Sequence, residues 1–144
     1  NIITSLELRS EEMEVINLRI QKKYKEIEEK EVRFEEYLLE DAEYAIVAFG
    51  SAARIAKKSI EIARSQGIKV GLLRPITLWP FPTKEVQKLA GKVKGILSLE
   101  INAGQMGEDI RLAVEGKVPV QHFGRLGGII PDPDEVVDAI KRLF

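Results

Sequence analysis

The residues that could do chemistry in this sequence follow four apolar runs, each long enough for a buried strand. A carboxylate and two amides, from Glu100, Asn102 and Gln105, stand after the third run together with Gly104. Such side chains could hold a polar ligand. They could equally hydrogen-bond to loop backbone or a neighbouring subunit, and we favour this second use because most side-chain hydrogen bonds go to backbone or water.

A turn at Gly50 and Ser51 follows the first apolar run and precedes a helix. The first amides of a helix can bind phosphate or carboxylate. The turn matches neither the dinucleotide motif nor a P-loop, and Ala53 replaces the second glycine of a nucleophile elbow. A catalytic Ser51 is disfavoured because the only histidine, His122, is distant in sequence. We therefore favour a helix cap at a tight turn.

The loop after the second apolar run has the composition of an interface anchor. Arg74 opens it, three prolines stiffen it, and Trp79 and Phe81 are large apolar side chains within it. Arginine and aromatic residues carry much of the binding energy at protein interfaces. Aromatic residues are equally frequent in cores, so a loop folded onto its own domain is the alternative.

A glycine-rich loop follows the fourth run and contains Arg125, Gly127 and Gly128. Its backbone can approach a ligand or another protein closely. A metal site is not indicated, because a lone histidine such as His122 is more often structural. The absence of cysteine from the sequence excludes disulfides, zinc–thiolate sites and cysteine-ligated clusters within this chain.

The overall composition, with 44% hydrophobic and 31% charged residues, is that of an ordinary soluble protein. The balance of 22 basic and 23 acidic residues argues against a nucleic-acid partner. No apolar stretch approaches the roughly 18–20 residues of a membrane helix. We therefore expect no membrane partner and a cytoplasmic location.

The chain divides into two unlike segments. Residues 1–43 hold 13 acidic and 7 basic side chains, and every glycine and proline lies later. We predict a helical arm or linker over residues 1–31 and an α/β domain over residues 32–144. An apolar stripe at helical spacing should dock the arm on its own domain, or else on a domain or subunit outside this chain. The stripe consists of Met13, Ile16, Ile20, Tyr24 and Ile27.

The elements that position the candidate residues alternate between strand and helix. We predict buried strands over 44–49, 69–73, 95–101 and 118–123, a weak edge strand over 32–37, and helices over 51–66, 83–90, 104–115 and from 133. The last helix should start with a capping box in which Asp132 is the cap and Glu135 the third helical residue. On the first of these helices we expect Ile55, Ser59, Ile62 and Ala63 to face inward. Such alternation predicts a parallel sheet with helices on both faces. Loops that follow parallel strands meet at the carboxyl edge of the sheet, which should gather the candidate residues there.

Four motifs in order, VAFGSAAR, GIKVGLLRPITLWPFP, LEINAGQM and VPVQHFGRLGGIIP, strongly resemble the C-terminal domain of the alpha subunit of 2-oxoacid:ferredoxin oxidoreductases. The last two motifs are most similar to the 2-ketoisovalerate and 2-oxoglutarate members. The resemblance implies a transketolase C-terminal-like fold. This fold is a three-layer α/β/α sandwich with a mostly parallel five-stranded sheet and one antiparallel edge strand. In spatial order the strands should begin near 32, 69, 44, 95 and 118.

The resemblance also implies an activity for the complete enzyme. The enzyme oxidatively decarboxylates a 2-oxoacid to an acyl-CoA, using coenzyme A, thiamine diphosphate with magnesium, and iron–sulfur clusters that reduce ferredoxin. The implied partners are an upstream thiamine-pyrimidine domain of the same subunit, a beta subunit, a cluster-bearing subunit and ferredoxin. The sequence lacks the Gly-Asp-Gly magnesium–diphosphate signature and any cysteine. We therefore expect an assembly domain that is inactive alone, binds no cofactor itself and contributes no catalytic residue.

Two other functions are compatible with the sequence. One is a free-standing flavodoxin-like domain that binds an anion or nucleotide through Gly50, Ser51 and Gly104 at helix N-termini. The other is the C-terminal domain of a different thiamine-dependent enzyme. The sequence does not fix which 2-oxoacid is used, because the substrate pocket is expected outside this chain.

Overall fold

A computed structural model describes residues 6–143, so residues 1–5 of the predicted arm and residue 144 of the predicted domain lie outside the described residues. Helices and strands alternate along most of the described chain. In order they are α1 (Ser10–Lys30), β1 (Phe34–Tyr37), β2 (Tyr44–Ala48), α2 (Gly50–Ser65), β3 (Val70–Pro75), α3 (Thr83–Ala90), β4 (Gly95–Glu100), α4 (Gln105–Val114), β5 (Val120–Gly124) and α5 (Pro133–Lys141). None of these helices is long and apolar enough to cross a lipid bilayer.

The strands form one five-stranded sheet in the order β1-β3-β2-β4-β5. β1 runs antiparallel to β3, with Phe34 opposite Pro75 and Tyr37 opposite Leu72. The other neighbouring strands are parallel. The predicted fold class, strand order and antiparallel edge strand are therefore confirmed. The chain winds from β2 to β3 on one side and later to β4 on the other, so the topological switch point lies at the carboxyl end of β2.

The core has two halves, one on each face of the sheet. Successive side chains of β2 point to opposite faces, so Ile46 packs with α2 and α5 while Ala45 and Val47 pack with α3 and α4. The four inner residues of β2 are fully buried. A strand that is covered on both faces needs a continuous apolar run, and this is why the sequence pattern located β2 correctly.

The buried face of α2 is wider than predicted. Ser59 and Ala63 are buried as expected, and Ile55 and Ile62 are half-buried and pack against the core. Ile60, which was not predicted to face inward, is fully buried as well. α2 contacts α5 as well as the sheet, so its buried arc is wide. The small side chains let the helix lie close to the sheet. The buried residues are Ala52, Ala53, Ala56, Ser59, Ile60 and Ala63.

The arm helix α1 has no buried residue. The prediction that its apolar stripe packs on its own domain is therefore wrong for the described residues. One ring contact joins α1 to the domain: Tyr24 meets Trp79 edge to face, with 5.5 Å between ring centroids. Both faces of the sheet are already covered by α2–α5, so neither face is open to a further helix.

The predicted start of the last helix, α5, is formed as a capping box. The Asp132 carboxylate accepts a hydrogen bond from the Asp134 amide at 2.9 Å, and Glu135 accepts one from the Asp132 amide at 3.1 Å. Pro133 occupies the first helical position, where its lack of an N–H costs no hydrogen bond. Local sequence alone determines this helix start.

Replacing Asp132 by Ala should lower the free energy of unfolding by about 1 kcal/mol, because an orphaned helix amide loses its acceptor. Urea denaturation of the chain measures this change. Asp138→Ala is the matched control, because Asp138 lies on the same helix with its side chain 73% exposed. The control should change stability by less than about 0.5 kcal/mol. Equal losses in the two variants would contradict a capping role for Asp132.

Candidate functional site

The ends of β4 and β5 and the loop after β4 form one cluster of polar side chains at the carboxyl edge of the sheet. β4 and β5 are neighbours, with Ser98 opposite His122 and Glu100 opposite Gly124. The loop after β4 adds Asn102 to this cluster. Arg74 lies in β3 and Trp79 in the loop after it. β3 is separated from β4 by β2, so the structure does not bring all the predicted residues together.

Glu100 is the centre of this cluster and is fully buried. Its carboxylate accepts hydrogen bonds from the Ser98 hydroxyl at 2.7 Å and from the amides of Met106 and Gly107 at 2.9 Å each. The two amides belong to the first turn of α4. A carboxylate there also interacts favourably with the positive end of the helix dipole. Glu100 therefore fastens the end of β4 to the start of α4.

Asn102 accepts further hydrogen bonds from backbone amides at the start of α4. Its Oδ1 accepts from the Gly104 amide at 2.7 Å and lies 3.4 Å from the Gln105 amide. Gly104 is the N-cap residue and has a φ of 104°, while Gln105 is exposed. The first amides of α4 are thus occupied by side chains of the chain itself. An anion or nucleotide site at Gly104 would have to displace these bonds.

Burial raises the pKa of Glu100, but the hydrogen bonds donated by Ser98, Met106, Asn102 and Gly107 together outweigh it. The net effect is a pKa below its ordinary value of 4.5. The carboxyl group is therefore ionised at neutral pH although it is buried. A buried carboxylate whose hydrogen bonds are all made within the chain holds neighbouring elements in place. It is not positioned to exchange protons with a substrate.

His122, which the sequence analysis interprets as structural and not as a site residue, lies against this carboxylate. Its Nδ1 is buried without a hydrogen-bond partner and stands 3.6 Å from an oxygen of Glu100. A Cβ at Gly104 would lie 3.2 Å from the His122 ring, and one at Gly124 would lie 2.6 Å from Nε2. Two glycines therefore make room for the ring. The contact depends on the pairing register of β5 with β4, which the sequence does not reveal.

The turn after β2 is not capped by a side chain. Phe49 is the N-cap residue of α2, so Ser51 lies inside the helix and the predicted serine cap is wrong. Gly50 has a φ of 55°, and both Gly50 and Ser51 are exposed. A φ in this range is unfavourable for residues with a Cβ, which explains the glycine.

Arg74 forms an ion pair within the domain. Its Nη1 lies 2.9 Å from one oxygen of Glu35, and the Lys57 ammonium lies 2.5 Å from the other. The hydrogen bond from Lys57, followed by that from Arg74, lowers the pKa of Glu35 below its ordinary value. Lys57 also lies over the Tyr37 ring, 5.3 Å from its centroid. The network fastens the edge strand β1 to β3 and α2.

The aromatic residues of the loop after β3 have different environments. Phe81 is half-buried and packs on the core half that contains α3 and α4. Trp79 is 55% exposed. Beside them lies an open cavity of about 550 Å³, which the end of α1 and residues of β1 also line. Trp79 therefore remains available to a partner, whereas Phe81 serves mainly its own domain.

The glycine-rich loop after β5 is held at one point. Arg125 Nη1 lies 2.9 Å from Glu135, the same residue that closes the capping box of α5. Gly127 and Gly128 are exposed. Three large apolar side chains of this loop are also exposed, which the sequence analysis did not single out: Leu126, Ile129 and Ile130, at 59%, 52% and 70%.

The sheet order, the antiparallel edge strand and the two helix layers define a transketolase-like α/β domain. Within residues 6–143, no group of three or more histidine, aspartate or glutamate side chains could hold a metal ion. Residues 42–136 match the family model described as pyruvate:ferredoxin oxidoreductase core domain II. The chain belongs to this family of oxidoreductase domains.

Curated relatives agree with this assignment. The chain is 45% identical over 143 residues to a ketoisovalerate oxidoreductase subunit, VorB, of Methanothermobacter thermautotrophicus, with 99% of this chain and 40% of the relative aligned. It is 30% identical over 104 residues to a 2-oxoglutarate synthase subunit, KorA, of Methanothermobacter marburgensis, with 72% of this chain and 28% of the relative aligned. The chain thus spans about 40% of the length of its more similar relatives.

Solved structures support the fold. A 2-oxoglutarate:ferredoxin oxidoreductase from Magnetococcus marinus superposes with a TM-score of 0.80 at 21% identity, over 95% of this chain and 24% of that one. A split-gene transketolase superposes with a TM-score of 0.61 at 16% identity, over 76% of this chain and 41% of that one. The transketolase-like fold and the oxidoreductase family are therefore established independently of each other.

Replacing Glu100 by Gln should lower the free energy of unfolding at pH 7 by about 2–3 kcal/mol, because a buried, charge-assisted acceptor is lost. The pKa of Glu100 is lowered on folding, so its stabilising effect is complete above pH 4.5 and is lost as the pH falls through the folded value. The difference in the free energy of unfolding between the unsubstituted chain and the Glu100→Gln variant should therefore become smaller below pH 4.5. Denaturation over a pH series measures this difference.

Glu108→Gln is the matched control for this experiment, because the same substitution is then made at an exposed position of α4. It should change stability by less than about 0.5 kcal/mol at any pH in the series. A Glu100→Gln protein as stable as the unsubstituted chain at pH 7 would show that the carboxylate does not hold α4 in place.

Proposed function

We propose that this chain is the assembly domain of an alpha-type subunit of a thiamine diphosphate-dependent 2-oxoacid:ferredoxin oxidoreductase. The observation that carries the proposal is the 45% identity, over almost the whole chain, to a ketoisovalerate oxidoreductase subunit. The complete enzyme would oxidatively decarboxylate a 2-oxoacid to an acyl-CoA and reduce ferredoxin. The lower identity of 30% to a 2-oxoglutarate synthase subunit favours a branched-chain 2-oxoacid as substrate.

In this proposal residues 1–31 are an arm and residues 32–144 are the domain proper. Other parts of the enzyme would hold thiamine diphosphate, magnesium, coenzyme A and the iron–sulfur clusters. We assign them to an upstream thiamine-pyrimidine domain of the same subunit, a beta subunit and a cluster-bearing subunit. Two features support this division: the chain has no cysteine to ligate a cluster and no Gly-Asp-Gly signature.

The polar residues at the carboxyl edge support an assembly role rather than a catalytic one. A general acid or base must come within hydrogen-bond reach of the substrate. Glu100 is fully buried and satisfied, Arg74 is paired with Glu35, and Arg125 is paired with Glu135. These side chains are engaged in holding the loops of the edge in place.

The exposed apolar side chains of the same edge are the candidates for contact with the rest of the enzyme. Trp79 is 55% exposed, and Leu126 and Ile130 are exposed to a similar or greater extent. Exposed large apolar side chains can mark interaction sites, and each of these two loops carries some. Tryptophan is among the residues whose truncation most weakens protein interfaces. We therefore propose that the loops after β3 and β5 bind the neighbouring domain or subunit.

The purified chain should not reduce ferredoxin or an artificial acceptor when supplied with thiamine diphosphate, magnesium, coenzyme A and ketoisovalerate. The complete enzyme that contains this chain should do so under the same conditions. The assay follows acceptor reduction spectroscopically. Acceptor reduction by the purified chain alone would contradict the proposed division of labour.

Trp79→Ala should weaken the association of this domain with the remainder of the enzyme by roughly thirtyfold, which corresponds to a loss of about 2 kcal/mol at a hot spot. A binding titration and a melting curve of the same variant provide the two measurements. Leu112→Ala is the control, because Leu112 is 79% exposed and lies on α4, outside the two loops. A large fall in melting temperature with unaltered binding would make Trp79 a residue of the internal fold.

A further inference from the structure

The arm helix α1 has an apolar stripe that no other helix or strand of residues 6–143 covers. At about 3.6 residues per turn, the five side chains lie within roughly 80° of the helix circumference. Tyr24, which is 42% exposed, touches Trp79, and the other four side chains are only half-buried. The stripe comprises Met13, Ile16, Ile20, Tyr24 and Ile27.

The charges of α1 are separated into blocks. Residues 10–17 contain three acidic side chains and no basic one, whereas residues 18–25 contain four basic side chains and no acidic one. Such a helix repels a parallel copy of itself in register, because each block then meets its own sign. The acidic side chains are Glu11, Glu12 and Glu14, and the basic ones are Arg19, Lys22, Lys23 and Lys25.

We propose that α1 pairs with α1 of a second copy of this chain, antiparallel, about a two-fold axis near Leu18. In this register Met13 lies opposite Tyr24 of the second copy, and Ile16 lies opposite Ile20. Four of the five stripe residues meet an apolar counterpart in this register. The fifth, Ile27, lies opposite Arg9 and Ser10 of the second copy, because the five spacings are symmetric about Ile20 and not about Leu18. Contacts of this kind are self-complementary and close as a dimer.

The charge pattern favours a second copy of α1 as the partner and an antiparallel orientation of the two helices. Antiparallel pairing about Leu18 places the acidic block of each helix beside the basic block of the other. Glu12 and Lys23 flank the stripe on the same side, so each faces its counterpart in the second copy, and symmetry forms the pair twice. Glu12 also contacts Arg9 of its own helix, which moderates the gain.

One residue gives the register a distinctive signature. Arg19 flanks the stripe close to the proposed axis and therefore faces Arg19 of the second copy. This contact between two positive charges is unfavourable. Removal of the charge should strengthen the dimer, whereas a docking site for a different, acidic partner would lose affinity. The inference concerns the arm alone and does not depend on the proposed enzymatic role.

The first experiment measures association of the unsubstituted chain by sedimentation equilibrium, from about 1 to about 500 µM, a range that brackets micromolar affinities. We expect a monomer–dimer equilibrium. Ile20→Glu should weaken the dimer at least about tenfold, because a charge replaces an apolar contact at the interface. Leu18→Glu is the matched control, since Leu18 is 63% exposed and lies on the opposite face of α1. This control should leave the dissociation constant unchanged.

The second experiment tests the charges with exposed residues, whose replacement leaves the domain core intact. Lys23→Glu should weaken the dimer about threefold to tenfold, and combining it with Glu12→Lys should restore the affinity. Arg19→Gln should strengthen it. A double variant as weak as Lys23→Glu alone, or an Arg19→Gln protein with weakened association, would overturn the register.

The third experiment measures the orientation. The chain has no cysteine, so Ser10→Cys allows a single nitroxide label in each copy. At about 1.5 Å per residue, antiparallel pairing about Leu18 separates the two labels by about 25 Å, whereas a parallel pair would place them about 10 Å apart. A parallel distance would overturn the proposal. A chain that stays monomeric throughout, or a dimer that survives Ile20→Glu, would also overturn it and leave the stripe to a different partner.

Discussion

The buried carboxylate of Glu100 is the interaction on which the carboxyl edge of the sheet depends. It stands at the end of β4 and receives two amides of α4 and the hydroxyl of Ser98. An unpaired charge in this position would cost several kcal/mol, so the three donors must be in place whenever the domain is folded. The loop between β4 and α4 is fixed as a result, and the His122 ring is held against it by two glycines.

This arrangement determines what the edge can offer to a partner. In many α/β domains the amides at this edge are free to bind a phosphate or carboxylate from a ligand. In this chain α4 receives its carboxylate from within, and Arg74 of β3 and Arg125 of the loop after β5 are also paired internally. Large apolar side chains nevertheless remain accessible, as Trp79 and Ile130 illustrate. An edge of this kind is suited to contact another protein surface.

The sequence predicted those features that depend on local patterns. β2 is an uninterrupted apolar run because both of its faces are buried, and the capping box of α5 lies within four consecutive residues. The strand order followed from the family resemblance, not from the residues themselves. Where packing partners decide, the prediction was incomplete. The full width of the buried face of α2 depends on α5, and the contact of His122 with Glu100 depends on strand register. Neither the packing of α2 on α5 nor the pairing of β4 with β5 can be read from a short stretch of sequence.

The uncovered arm has a related explanation. A three-layer domain needs helices on the two faces of its sheet, and α2–α5 already supply them. An additional amphipathic helix can then bury its apolar face only outside this domain. Tyr24 belongs to that face and at the same time touches Trp79 of the loop after β3. Any partner that covers the stripe therefore acts on the position of Trp79, so the arm and the carboxyl edge are physically coupled through one pair of aromatic rings.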